Sequence, residues 1–275
     1  MSTDTIINAA SNPAAANKVA ADAIALAQQE AAVAVSKPEP VKLPPNTTVE
    51  LPAGLTDPFT GQVINTAEIR ELTGVDEEFI SKISELGKAL LSILDRATVK
   101  IGDEPATKEV IDALYAGDRE MILLAIRNAT FGPEIKLGPG NCPDCGKEQI
   151  FEIDLVNDVP IKKLEDSPEF LVSCSVGDVV VTLPTGSTQK ALISSTNKTS
   201  AELDTILLKN CVKSINGTPL VNPEVVRNLS IRDRKAILEE ITTRNPGPQL
   251  DQIKKACQSC GTEVPLPLTL AELFR

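Results

Sequence analysis

Two copies of one five-residue motif, Cys142-Pro-Asp-Cys145-Gly146 and Cys257-Gln-Ser-Cys260-Gly261, constrain this chain more than any other feature. A C-x-x-C turn points both sulfurs at one centre. The Gly that follows lets the backbone take positive φ and turn amide N–H groups towards the thiolates. Two such knuckles supply four soft ligands, the set that closes a tetrahedral structural zinc site with Zn–S distances of about 2.3 Å and no open position. Cys142, Cys145, Cys257 and Cys260 are therefore the expected ligands of a structural Zn2+ ion. Iron in a rubredoxin-like cage uses similar knuckles. It is the less favoured occupant, because aromatic surroundings are scarce in a chain with 3% aromatic residues and no Trp. Two disulfides would require an oxidising compartment, and a redox C-x-x-C would require a thioredoxin-like βαβ setting.

The spacing shapes the fold. Between Cys145 and Cys257 lie 111 residues, where a simple zinc ribbon has about 15–20 between its pairs. The ribbon must then be made of two distant hairpins with other structure inserted between them. Loop-closure entropy grows only logarithmically with length, and a bound ion offsets it. Strand-like alternation flanks both knuckles, over Glu134–Leu137 and Gln149–Leu155 for the first and over Ile253–Ala256 and Thr262–Leu266 for the second. The other two cysteines, Cys174 and Cys211, sit in apolar runs and read as core thiols.

Along the rest of the chain, residues 1–46 read as a flexible Ala/Pro-rich arm, with a weak helix over 17–35 and a polyproline-like spacer after it. Residues 47–133 read as an N-terminal helical domain. Thr66-Ala-Glu-Ile-Arg-Glu-Leu-Thr-Gly74 carries helix start and stop signals. Asp76 is placed to cap a helix whose apolar set runs from Phe79 to Leu94 at the 3.6 period. Another helix opens at Asp118 and ends at Phe131-Gly132-Pro133. Segments 134–158 and 250–267 form the split ribbon, 159–249 an inserted α/β segment, and 268–275 an apolar C-terminal tail. The expected class is α+β: mainly helical domains with a small β zinc-ribbon-like unit formed by two distant hairpins.

No active site emerges. The absence of His removes Ser-His-Asp and Cys-His catalysis and His-ligated zinc hydrolases. No phosphate-binding glycine loop, dinucleotide fingerprint or G-x-S-x-G is present. Acidic pairs such as Glu239-Glu240 read as solvated helix faces. Gly117-Asp118-Arg119-Glu120 reads as a helix cap with a helical salt bridge, and ligand binding is its alternative. No catalytic and no cofactor-binding residue is expected. The net charge of −11, which divides as −2 over residues 1–50, −6 over 51–141 and −3 over 142–275, disfavours tracking a nucleic-acid backbone. Without a membrane-length apolar run or a signal-like first segment, the chain is expected to be soluble and made in a cytoplasm.

In chain order, Val49-Glu-Leu-Pro-Ala-Gly54, Ile69-Arg-Glu-Leu-Thr-Gly74 with Asp76-Glu-Glu78, Gly117-Asp-Arg-Glu120 leading through Leu123 to Gly132, the first knuckle, Asp233-Arg234 beside an aliphatic helix, and the second knuckle form a recognisable series. In these features, over about 47–275, the chain resembles the T4-type phage baseplate hub and tail-assembly protein family. Phe131 stands where that family often has Tyr, and the arm at 1–46 lies outside the pattern. The resemblance implies a non-enzymatic structural or assembly role in the contractile-tail baseplate, in its hub region. It implies contacts with other baseplate and tail proteins, multiple copies in a symmetric assembly, no nucleic-acid or membrane partner, and a place in the virion tail after assembly in the host cytoplasm. The alternative class is a zinc-ribbon factor that binds nucleic acid or a polymerase. It would need a basic face, for which Lys147, Lys254 and Lys255 are the candidates.

Overall fold

A computed structural model describes residues 44–57, 60–195 and 197–274 together with Lys18, Ala21 and Ala25, and the chain divides into Met1–Leu43 and Pro44–Arg275. In the first unit Lys18, Ala21 and Ala25 are helical and exposed. The flexible arm expected over 1–46 otherwise falls, up to Leu43, outside the described residues.

The second unit opens with β1 (Thr47–Thr56) and β2 (Val63–Ile69) as an antiparallel pair. Alternation puts Val49, Leu51, Ala67 and Ile69 on the buried face, with Val49 opposite Ala67. Helices α1 (Gly74–Ile80) and α2 (Leu86–Ala97) follow, then β3 (Thr98–Ile101) and β4 (Glu104–Pro105), which complete a sheet of order β1-β2-β3-β4. Next come α3 (Lys108–Ala113) and α4 (Ala116–Phe131). The inner face of the sheet packs with Ile93, Leu94 and Ala97 of α2 and Ile122, Leu123 and Ile126 of α4 into the first core.

After α4 the chain forms the hairpin β5 (Glu134–Asn141) and β6 (Glu148–Asp154), then β7 (Ile161–Lys162), β8 (Glu169–Cys174), β9 (Gly177–Thr182), α5 (Gly186–Ile193), α6 (Ser200–Cys211), β10 (Val212–Ile215) and β11 (Thr218–Pro219). A 3-10 turn at Pro223–Asn228 leads to α7 (Ile231–Arg244), β12 (Gly247–Pro248) and a second 3-10 turn at Leu250–Gln252. The hairpin β13 (Lys254–Ala256) and β14 (Glu263–Pro265) and the short α8 (Leu270–Leu273) finish the fold. Strands β11-β10-β9-β8 make a second antiparallel sheet, backed by α6 and α7 around Val179, Val181, Leu208, Cys211 and Ile237. Cys211 is fully buried there, as a core thiol should be, and Cys174 is partly buried against the same cluster.

The expectation of mainly helical domains is overturned: the described residues hold eight α-helices and fourteen strands, the latter in several antiparallel sheets. Three physical causes account for the difference. Within Thr66–Gly74, read as a helix, residues 66–69 instead complete β2, because pairing on both sides, with β1 and β3, outweighs the local capping signals. Strands of two to four residues, such as β4, β7, β10, β11 and β12, are too short to show a period, and partners far along the chain stabilise most of them. The apolar series from Phe79 to Leu94 divides between α1 and α2 instead of running as one helix. Thr73, not Asp76, caps α1, and Asp76 closes the capping box from the third helical position.

Helix α4 is the axis of the second unit, and its first turn explains Gly117-Asp118-Arg119. Gly117 lies against the backbone of Pro246 and Gly247, so close that a Cβ would stand 2.5 Å from the Pro246 carbonyl carbon. Asp118 does not cap its own helix, whose N-cap is Tyr115. Its Oδ1 accepts from the Ala53 amide at 2.7 Å, across 65 residues, at the irregularity in β1. Arg119 donates to the Ile111 carbonyl and to Gln189 Oε1, both at 2.7 Å, which ties α4 to α3 and α5. Each residue of the motif therefore joins α4 to a different element.

A second polar node fixes α1 and α2. Asp76 is fully buried and accepts from Arg70 (2.6 and 3.0 Å), from Arg96 Nε (2.8 Å), and from the Thr73 amide and hydroxyl (both 2.9 Å). The C-terminal run is divided between two roles. Leu268 and Leu273 are buried with Leu124, Leu155 and Ile253 in a third cluster, while Phe274 is only half-buried.

Candidate metal centre

The two knuckles have the same backbone. In the first, the Cys142 amide donates to the Lys147 carbonyl (3.0 Å) and the Gly146 amide to the Cys142 carbonyl (2.9 Å). In the second, Cys257 donates to Thr262 (2.9 Å) and Gly261 to Cys257 (2.8 Å). Gly146 and Gly261 have φ of +69° and +79°, in the left-handed region where a side chain is strained. Each knuckle is the tip of its own two-stranded hairpin, β5-β6 or β13-β14.

The fold brings these tips together. Cys142 and Cys260 have their Sγ atoms 3.7 Å apart, as have Cys145 and Cys257, and all four sulfurs lie within 4.8 Å of one another. A regular tetrahedron of sulfurs about 2.3 Å from a central ion has edges of about 3.8 Å. The two short edges match that length, and both join one hairpin to the other. Cys142 and Cys257 are buried whereas Cys145 and Cys260 are exposed, so each knuckle contributes one inner and one outer sulfur.

The electrostatics suit a cation. The amides of Ser259 and Cys260 point at Cys257, with Ser259 N 3.4 Å from its Sγ, and draw that thiol down to about 6. The Lys147 amide favours the thiolate of Cys145, yet desolvation and the three neighbouring sulfurs push it up to about 11. Four sulfurs this close cannot all carry negative charge by themselves, and a central dication removes the conflict. The donor set fits a soft, four-coordinate ion.

Other contacts also hold the tips in register. The Gln258 amide donates to Gln149 Oε1 (3.1 Å) and the Thr262 hydroxyl to Asp144 Oδ2 (2.9 Å), both from one hairpin to the other. Phe151 and Val264 are buried beside Cys142 and Cys257, with Leu137 and Leu266 against them. Gln149, Asp144 and Thr262 were not singled out by sequence reasoning, since nothing local marks a residue whose partner lies over a hundred positions away. Phe151 did carry a signal as an aromatic residue at an inward position of an alternating strand. Of the lysines beside the knuckles, Lys254 lies 3.8 Å from Glu263 and Lys255 2.5 Å from Asp158.

Among the described residues no helix is long and apolar enough to cross a membrane. The model of one family, described as T4 bacteriophage base plate protein, matches residues 45–274 and so takes in both knuckles and everything between them. No curated protein and no solved structure gives a significant match.

Proposed function

This chain belongs to the T4 bacteriophage base plate protein family, and from that premise we propose that it is a non-enzymatic structural component of the hub region of a contractile-tail baseplate, stabilised by one structural zinc ion. The family supports a structural role in the phage baseplate and, with it, contacts to other baseplate proteins and a place in the virion. The finer reading rests on the convergence of Cys142, Cys145, Cys257 and Cys260. A closed four-sulfur site leaves no position for substrate, so its chemistry is that of a clamp. The residues at 134–158 and 250–267 would then act as one unit through the ion, holding both ends of the intervening segment on the third cluster, around Leu124, Ile153 and Ile253. A part that transmits load between neighbours gains rigidity from four coordinate bonds where two short hairpins have little core of their own.

The reading is tested with the double variant Cys257→Ser/Cys260→Ser expressed in place of the wild-type chain during infection. The expected outcome is one zinc per wild-type chain, none in the variant, and a large drop in complete baseplates with the variant. Normal baseplates built with the zinc-free variant would refute the clamp.

A further inference from the structure

We propose that β8 is a pairing edge to which a second copy of this chain adds its own β8, antiparallel and across a two-fold axis, so that two four-stranded sheets join into one. The strand order β11-β10-β9-β8 leaves one side of β8 without a neighbouring strand among the described residues. Which backbone groups face that side follows from a single bond. The Asp178 carbonyl accepts from the Asn216 amide at 2.7 Å, so Asp178 turns to β10. Successive residues of a strand direct their amides and carbonyls to opposite sides. Val179 and Val181 therefore turn to β8, and their partners Val172 and Phe170 turn back to them. The Leu183 amide, which donates to the Pro168 carbonyl at 3.0 Å, keeps the same phase. Leu171 and Ser173 are left with amide and carbonyl on the open edge. Both are exposed, whereas Val172 between them is buried.

Proteins ordinarily protect such edges. The other edges of the two four-stranded sheets follow that rule. β4 and β11 are two residues long and carry Pro105 and Pro219. β1 is engaged at its middle, where the Pro52 carbonyl accepts from the Leu164 amide and the Ala53 amide donates to Asp118. β8 is six residues long and holds no Pro and no basic residue. Only its first amide, that of Glu169, is engaged off the sheet among the described residues, by Ser167 Oγ at 3.1 Å.

Free amides and carbonyls at strand spacing specify an extended segment, and the register of β8 on itself specifies a copy. Centred on Val172, the pairing sets Leu171 of each copy opposite Ser173 of the other, and each such pair exchanges both of its hydrogen bonds. The two Leu171 side chains, each 55% exposed beside Val180, then lie diagonally across the axis within reach of one another. Glu169, the one charged residue of β8, falls opposite Ser175 instead of its own copy, so no like charges meet in the ladder. The Ser175 amide is already held by Asp233 at 2.8 Å, which ends the ladder there.

Sedimentation of the full-length, metal-loaded protein over the micromolar range, with hydrogen exchange followed at β8, tests this. The expected result is a monomer–dimer equilibrium in which exchange at Leu171 and Ser173 slows as concentration rises. Ser173→Pro removes an outward amide and no bond to β9, and Leu171→Lys sets a charge on the edge. Each should weaken the dimer at least about tenfold, with an unchanged melting profile and unchanged metal content. Should Ser173→Pro fail to fold, Leu171→Lys alone decides. A chain that stays monomeric throughout, or a dimer that the folded variants leave intact, would overturn the proposal. So would protection of β8 that appears only in assembled baseplates, which would give the edge to a strand of a different protein. The four-sulfur clamp plays no part in this outcome.

Discussion

Replacing Gly117 with Ala sets two effects of opposite sign against each other, and the structure decides between them. Gly117 is the second residue of α4. By helix propensity alone, Ala at such a position should stabilise the protein by up to about 1 kcal/mol. Against that, the new Cβ would lie 2.5 Å from the Pro246 carbonyl carbon and 3.2 Å from the Gly247 amide nitrogen. Both are backbone atoms, and no side chain can rotate aside. The contact is reciprocal, since a Cβ on Gly247 would meet the Gly117 Cα at 2.8 Å. The Pro246 carbonyl oxygen is nearer still, so to reach ordinary contact distance α4 and β12 must part by about 1.5 Å, which also disturbs the pairing of β12 with β7. The expected net cost is about 2–4 kcal/mol, or a drop of about 5–15 °C in melting temperature for a unit of this size. Calorimetry of the metal-loaded protein measures it. Gly74→Ala is the control, because a Cβ at Gly74 meets nothing within 4 Å, and it should be neutral or slightly stabilising. If Gly117→Ala melts at or above the wild-type temperature, or if Gly74→Ala loses as much, the joint between α4 and β12 is not the constraint described.

Two further predictions concern carboxylates of opposite behaviour, the half-buried Glu120 and the buried Asp76. Burial pushes Glu120 up to about 7 from an ordinary 4.5. The folded state thus binds this proton more tightly than the unfolded one, so stability should fall by up to about 3 kcal/mol as pH rises from 4.5 to 7 and level off above. Glu120→Gln should abolish that slope in urea titrations, and a wild-type profile that is already flat over this window would contradict the assignment. Asp76 is held well below the carboxylate range, first by Arg70, then by Thr73 and Arg96. Its stabilisation is present above about 3.8 and is lost as pH falls further towards its depressed folded value. Asp76→Asn should cost about 2–3 kcal/mol at pH 7, discounted from a fully buried pair because both arginines are part-exposed. A neutral result would mean that the node does not contribute to holding α1 on α2.

The convergence of the four cysteines was legible in the sequence because the knuckle is local chemistry: two cysteines, a fixed spacing and a glycine whose φ must be positive. Hairpin strands such as Gln149–Leu155 were legible through alternation. What escaped was decided at long range. Residues 66–74 carry helix signals, yet the first four of them pair in β2 with strands on both sides. Gly117, Asp118 and Arg119 looked like a helix start, but each is explained by a partner elsewhere, at Pro246, Ala53 and Gln189. Asp76 reads as a helix cap, because capping signals are local and do not register that two arginines, one of them 20 residues away, converge on one carboxylate.

X-ray absorption at the zinc edge tests the four-sulfur clamp most directly, using full-length protein purified with its natural metal complement. The account predicts one zinc per chain with four sulfur neighbours at about 2.3 Å, and a signal that disappears in Cys257→Ser/Cys260→Ser. A protein purified without zinc, or a zinc shell containing oxygen or nitrogen, would contradict it.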